Sequence, residues 1–296
     1  MVKRSDYKSL SRYVSSYLGS LKTHSLDING QEWKYLDGGE GETIVFLHGL
    51  AGSKVLWRSL MQSYVGRYRV ISVDVPGLCV EQPFNNNKKH NFREISNWLE
   101  LFLEHLQIEN VHLFGHSTGC TVASHFASTR PSLVASATLL NHLDVISKNT
   151  AYQGNYIFDT FVNLAEADSL DAWTDLINSL FYAPPALPGF IQRYRQRSFL
   201  SHRERMLSLV DELSEYMPMA MSYLRKMECP ILVVNSTHDI FSPAEFHQTL
   251  KSQLPWGRHV LLEQSGHASF IEKPDVILGI HQDFLSSLMQ PDLAAG

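Results

Sequence analysis

The sequence predicts an α/β chain: a mostly parallel, doubly wound sheet covered by helices, with an all-helical segment inserted after the sixth strand. Two observations predict it. From Thr43 to about Asp144, short apolar and β-branched runs alternate with amphipathic helical patterns, the rhythm of βαβ units. From about 150 to 226 only helical patterns occur, and strand-like runs then resume. At 296 residues, 44% hydrophobic and 19% charged, the chain has enough apolar material for one large domain carrying an insertion.

The elements follow in order. "DYKSLSRYVSSYL" places Tyr7, Leu10, Val14, Tyr17 and Leu18 at helical spacing, so residues 1–20 are expected to form an amphipathic helix docked on the domain. "THSLDI" and "QEWKYLD" read as two strands, and Asn29-Gly30 between them is a strong hairpin signal. "TIVFLHG" is a continuous β-branched and apolar run, as expected of a strand buried on both faces. "WRSLMQSYV" has helical periodicity, "YRVISVDVPG" is a further strand, and "FREISNWLELFLEHLQI" is a long amphipathic helix. The strand "NVHLFG", the helix "TVASHFASTRP" and the strand "ASATLLNHL" complete the first half. "YIFDTFVNLA", "LDAWTDLINSLFY" and "SHRERMLSLVDELSEYM" are helical. The strands "CPILVVNS" and "HVLLEQSG" and the helix "PDVILGIHQDFLSSLM" end the chain. The expected division is a core over 21–144 and 227–296 and a helical cap over 145–226.

The formal charge of −5 carries no signal for a nucleic-acid groove or a polybasic membrane patch. The three cysteines are far apart and match no metal spacing, which suits reduced thiols in a cytoplasmic chain. The opening "MVKRSDYKSL" lacks the apolar core of a signal peptide, and no apolar run reaches spanning length. The expectation is a cytoplasmic monomer or homodimer with no stable membrane insertion.

Gly115-His116-Ser117-Thr118-Gly119 carries the chemistry. It matches G-x-S-x-G with a strand before it and a helix after it, the context that motif requires. A sharp strand-to-helix turn strains the serine backbone, so its two glycines must be small, and it lifts the hydroxyl above the carboxyl edge of the sheet. The N–H of Thr118, at a helix N-terminus, can stabilise a developing oxyanion. A serine needs a base oriented by a third group. His267 directly follows the last buried strand and Asp239 follows "CPILVVN", so both fall on the sheet edge that holds Ser117. His48-Gly49 ends the first long strand, where a tight turn would aim the N–H of Leu50 at a substrate oxygen.

These residues, in the chain order Ser117, Asp239, His267, resemble an α/β-hydrolase-fold serine hydrolase over roughly residues 30–288. The resemblance implies Ser117 as nucleophile, His267 as general base and acid, Asp239 as its orienting carboxylate, and Leu50 and Thr118 as oxyanion donors. The helical insert stands where that superfamily carries its cap. The implied reaction is hydrolysis of a small-molecule ester through an acyl-enzyme, which calls for neither metal nor organic cofactor. One loop departs: the family often has D-x-P-G-x-G-x-S, whereas "DVPGLCVEQP" keeps Asp74, Pro76 and Gly77 but has Cys79 and Glu81 beyond.

Other residues were weighed against these. Asp144 follows the strand "ATLLNHL", a second position for the acid; Asp239 is preferred as the commoner one. His142 and Ile240 are candidate substrate-binding residues. His116 and His238 are expected to be structural, and Cys120 a small buried side chain. Phe158, Phe161, Leu180, Phe181, Tyr182, Met217, Met219 and Met221 could form an apolar acyl pocket or simply the cap's own core. The same triad would support acyl transfer to another acceptor. A carbon–carbon bond hydrolase would use a cap arginine, from Arg193, Arg195, Arg197 or Arg203, to bind a carboxylate. A ligand receptor on the same fold would have no use for the triad.

Overall fold

A computed structural model describes residues 19–79, 91–142, 156–167, 169–214, 219–242 and 244–289. Of the expectations above, residues 1–18 of the N-terminal helix, Glu81 and Asp144 lie outside them.

Eight strands form one sheet in the order β1-β2-β4-β3-β5-β6-β7-β8. The hairpin β1 (Lys22–Ile28) and β2 (Gln31–Gly38) is antiparallel, and β2 also runs antiparallel to β4 (Arg69–Val73). Its turn residues Asn29 and Gly30 both have positive φ, 54° and 80°, the conformation a tight two-residue hairpin demands. From β4 onward the sheet is parallel through β3 (Thr43–Leu47), β5 (Val111–His116), β6 (Val134–Leu140), β7 (Ile231–Ser236) and β8 (Arg258–Leu262). Every residue of β3, β5 and β7 is buried, which accounts for their mainly apolar sequences. Strand β3 stops at Leu47, so His48 and Gly49 belong to the loop beyond it.

Helices cover both faces. A 3₁₀ turn (Lys54–Trp57) leads into α1 (Arg58–Gln62). Helix α2 (Phe92–His105) begins where Asn91 accepts the Glu94 N–H at 2.9 Å, and it buries Phe92, Ile95, Leu99, Phe102 and Leu103. Helix α3 (Thr118–Thr129) is buried along nearly its whole length, from Thr118 to Ala127. The insert holds α4 (Tyr156–Glu166), α5 (Leu170–Asn178), α6 (Gly189–Leu200), α7 (Arg203–Ser214) and α8 (Ala220–Leu224). Ala220 and Leu224 fall inside the expected cap span, yet they join the buried cluster of Val122, Ala123 and Phe126. The last helix of the insert therefore packs with the core. Helices α9 (Ala244–Gln253), α10 (Ser269–Glu272) and α11 (Pro274–Leu288) follow, the first between β7 and β8 and the others after β8. Among the described residues no helix is long and apolar enough to cross a membrane.

Candidate active site

Strand β5 delivers Ser117 to the carboxyl edge of the sheet. Ser117 has φ 57° and ψ −126°, a conformation rare for any residue with a side chain. Such strain costs about 1–3 kcal/mol and persists only where the surroundings over-determine it. Here the Ser117 N–H donates to Leu140 O at 3.0 Å, and helix α3 starts at the next residue. That helix lies against the end of β3: a Cβ on Gly119 would stand 2.3 Å from Leu47 O, which no side chain allows. A Cβ on Gly49 would stand 2.7 Å from Ser117 Cβ and 3.1 Å from its Oγ, so the loop after β3 passes directly over the hydroxyl. The N–H groups of Leu50 and Thr118 have no hydrogen-bond partner among the described residues. Thr118 opens α3, where the helix dipole adds positive potential.

His48 pegs that loop. Its Nδ1–H donates to Gly49 O at 2.7 Å and its Nε2 accepts the Val75 N–H at 3.0 Å, which fixes the tautomer. Burial lowers its pKa and keeps the ring neutral. The Asp74 carboxylate meanwhile accepts from the N–H and the ammonium of Lys54. His48, Asp74 and Cys79 bring ligand-type atoms within 4.8 Å of one another. Both ring nitrogens of His48 and both oxygens of Asp74 already hold protein partners, so the trio reads as a structural knot.

Strands β7 and β8 supply the other groups. The buried His267 donates its Nδ1–H to Asp239, whose two oxygens lie at 3.0 and 2.9 Å. Asp239 Oδ1 also accepts the Phe241 N–H at 2.8 Å, and Oδ2 accepts the side-chain amide of Asn141 at 2.9 Å. With Nδ1 engaged, Nε2 is the ring nitrogen left for a substrate-side proton. No hydrogen bond joins Ser117 Oγ to His267 among the described residues. The link between them runs through His116, whose Nε2–H donates to His267 O at 2.9 Å, with the two rings 4.8 Å apart. Nucleophile–base contacts are often long without substrate and close in the Michaelis complex. Burial, then the neighbouring His267, push the His116 pKa well below the usual imidazole range.

The remaining expected residues divide. His142 is fully buried beside Phe246, neither ring nitrogen has a partner among the described residues, and burial lowers its pKa to about 4. Ile240 is half-buried against the core. The His238 ring packs against Tyr182, with centroids 4.5 Å apart and planes tilted by 58°. The buried Cys120 thiol donates to Gly115 O and Leu140 O, and burial raises its pKa well above the usual thiol range. Arg193, Arg197 and Arg203 are exposed, whereas Arg195 is half-buried beside a small cavity lined by Trp173, Asn178 and Gln192. Of the apolar cap residues, Tyr182 and Met219 are exposed, and Leu180 and Met221 pack on the core. Met217 and the side chains of Phe158 and Phe161 lie outside the described residues.

Two further contributors carry no motif. Asn141 falls at the end of a strand pattern, where a polar residue closing an apolar run is its one signal. Glu272 has none. Its Oε2 accepts the Gly266 N–H at 2.7 Å and its Oε1 accepts the Ala183 N–H at 2.8 Å, which ties the histidine loop to the insert.

Comparison with known proteins agrees with this geometry. A family model described as alpha/beta hydrolase fold matches residues 42–274. A pimeloyl-acyl-carrier-protein methyl ester esterase of Aeromonas hydrophila is 26% identical over 265 residues, spanning 83% of this chain and 96% of its own. A 2-hydroxy-6-oxononadienedioate/2-hydroxy-6-oxononatrienedioate hydrolase of Pseudomonas putida is 24% identical, spanning 93% and 98%. Among solved structures, a bacterial membrane phospholipase A superposes with a TM-score of 0.80 at 21% identity, covering 97% of this chain and 92% of that one, a likeness of fold.

Proposed function

The chain belongs to the α/β hydrolase fold family and is a hydrolase of that fold, and from that premise we propose that it cleaves a carboxylic ester, or a related acyl compound, of a small hydrophobic substrate through an acyl-enzyme on Ser117. The observation that carries the reading is the His267–Asp239 hydrogen-bonded pair beside a serine held at φ 57°.

In the proposed cycle the substrate carbonyl sits against Ser117 with its oxygen facing the N–H groups of Leu50 and Thr118. Ser117 Oγ attacks the carbonyl carbon while His267 Nε2 takes the hydroxyl proton. Asp239 holds the ring in the Nδ1–H tautomer and stabilises the imidazolium. The tetrahedral oxyanion collapses, the carbon–oxygen bond breaks, and His267 returns the proton to the departing alcohol. Water, deprotonated by the same imidazole, then attacks the acyl-enzyme and releases the acid. His142 and Ile240 are proposed to line the substrate cavity. The proposed setting is the cytoplasm, which the three free, buried cysteines suit, and the proposed working form is a monomer or homodimer.

The test is a panel of p-nitrophenyl esters of increasing acyl length. The wild-type protein is expected to turn over short to medium esters, and Ser117→Ala to lose roughly three or more orders of magnitude in kcat/KM. An inert wild type, or a Ser117→Ala variant of undiminished rate, would refute the proposal. A competing alcohol acceptor in the same assay separates hydrolysis from acyl transfer. A second reading, carbon–carbon bond hydrolysis of a carboxylate-bearing substrate, is favoured by one observation. Burial lowers the Arg195 pKa, and the guanidinium has no acidic partner among the described residues. Under that reading Arg195→Met raises KM for carboxylate-bearing substrates and leaves neutral esters untouched.

A further inference from the structure

We propose that Asn141 is a positioning residue of the triad: its side-chain amide holds the Asp239 carboxylate in line with His267 from the end of the neighbouring strand. The inference rests on the serine-hydrolase reading and adds to it a group that never touches substrate.

Asn141 is the first residue past β6 and is fully buried. Its φ is 51°, in the left-handed region that asparagine tolerates better than most residues. Its N–H donates to Val234 O at 2.7 Å, so pairing with β7 continues one residue beyond the ladder and fixes where the side chain starts. The side-chain nitrogen donates to Asp239 Oδ2 at 2.9 Å and to Ser236 Oγ at 3.0 Å, which uses both amide hydrogens. The amide oxygen accepts the hydroxyl of Ser269, two residues beyond His267. The Asp239 carboxylate, which only accepts, decides which end of the amide is which: an inverted amide would set its oxygen against a carboxylate oxygen. One side chain thus ties together the end of β6, the loop that carries the acid and the segment that follows the base.

The Asp239 side chain is fully buried in its contact with His267, so water does not compete for its oxygens. Oδ1 is shared between the Phe241 N–H and the imidazole, and Oδ2 between Asn141 and the imidazole. Without the amide, Oδ2 keeps only the imidazole N–H and the carboxylate loses one of the two anchors that set its plane. A catalytic carboxylate must stay in plane as the imidazolium forms, because misplacement of a reacting group by about 1 Å costs roughly 100-fold. A plain strand-end staple at this position would alter stability alone.

Two variants of the full chain separate these roles. Asn141→Gly suits the left-handed backbone and removes the amide. Asn141→Asp fills the same space with a carboxyl beside Asp239. Rates are measured with p-nitrophenyl acetate per active site counted by a fluorophosphonate, and the downfield imidazole N–H resonance of His267 is followed by proton NMR. For Asn141→Gly the expected result is a kcat per site lowered roughly 10- to 100-fold with KM nearly constant, and a shifted or broadened resonance. For Asn141→Asp the two buried carboxyls share one proton, because both cannot ionise in contact. The new carboxyl therefore donates to Asp239 as the amide did and should recover most of the rate that Asn141→Gly loses. Wild-type kcat per site with an unmoved resonance in Asn141→Gly, or a kcat in Asn141→Asp no higher than in Asn141→Gly, would overturn the assignment. If Asn141→Gly fails to fold, Asn141→Ser, too short to reach Asp239 Oδ2, is measured in its place. If the wild-type protein reacts with neither ester nor fluorophosphonate, the Ser117 reading fails, and the resonance in the variants against wild type still decides the role of Asn141.

Discussion

Single residues at this site act through backbone placement as much as through their own chemistry. His48 and His116 are both buried, both kept neutral by burial, and each donates to a backbone carbonyl: Gly49 in one case, His267 in the other. The first shapes the loop over the Ser117 hydroxyl and the second ties the segment of His267 to the residue before Ser117. Gly49 tests the first arrangement. Its φ lies outside the left-handed region, so alanine there is a steric change alone, with a Cβ 2.7 Å from that of Ser117. Gly49→Ala is expected to lower kcat on p-nitrophenyl acetate roughly 100-fold while thermal unfolding shows the fold retained. An unchanged kcat would mean that the loop can yield without disturbing the serine.

Among the elements, the segment after α5 couples the insert to the loop that carries His267. Leu180 O accepts the Ala268 N–H at 3.2 Å, and the backbone of residues 180–182 leaves no room for a side chain at Gly266. Glu272, at the end of α10, closes the junction by accepting N–H groups from Gly266 and Ala183. Hydrogen bonds to a charged acceptor contribute about 1.5–3 kcal/mol each. Glu272→Ala is therefore expected to speed amide exchange at Gly266 and Ala183 at least about tenfold, and to lower kcat because His267 follows Gly266 directly. Unaltered exchange at both amides would place the stiffness of this junction elsewhere.

For the molecule as a whole, buried histidines set the response to acid. Burial lowers the pKa of His125 and His142 to about 4 and of His281 to about 3. In the unfolded chain each would take up a proton near pH 6.5. Between those values the unfolded state binds more protons, so stability is complete above pH 6.5 and falls as the pH drops toward 4. The slope is about 1.4 kcal/mol per pH unit for each histidine. His142→Phe removes one of them and two unpartnered nitrogens. Urea unfolding at pH 7, 6 and 5 should then show near-native stability at pH 7 and a decline flatter by about 1.4 kcal/mol per unit. An equally steep decline would show that His142 does not titrate in this range. A folded His142→Phe that loses ester turnover would instead mark it as a substrate contact.

Local patterning determined a great deal of this protein. The mainly apolar runs of β3, β5 and β7, the Asn29-Gly30 turn, and the capped periodicity of α2 depend on neighbours within a few residues, and each can be read along the chain. So can the strand–Ser117–helix turn, because its glycines answer a crowding created within one turn of backbone. The positions of Asp239 and His267 were legible too, since a parallel sheet brings the carboxyl ends of its strands to one edge. Tertiary structure decided the rest. Which groups meet beyond that edge depends on strand register: Asn141 reaches Asp239 only because β6 and β7 are adjacent and paired through Leu140 and Val234. Glu272 reaches Gly266 and Ala183 only because an insert lies folded over the loop of the base. Such contacts join residues up to about a hundred positions apart. They leave no period in the sequence, because the energy that selects them arises only once the sheet has closed around them.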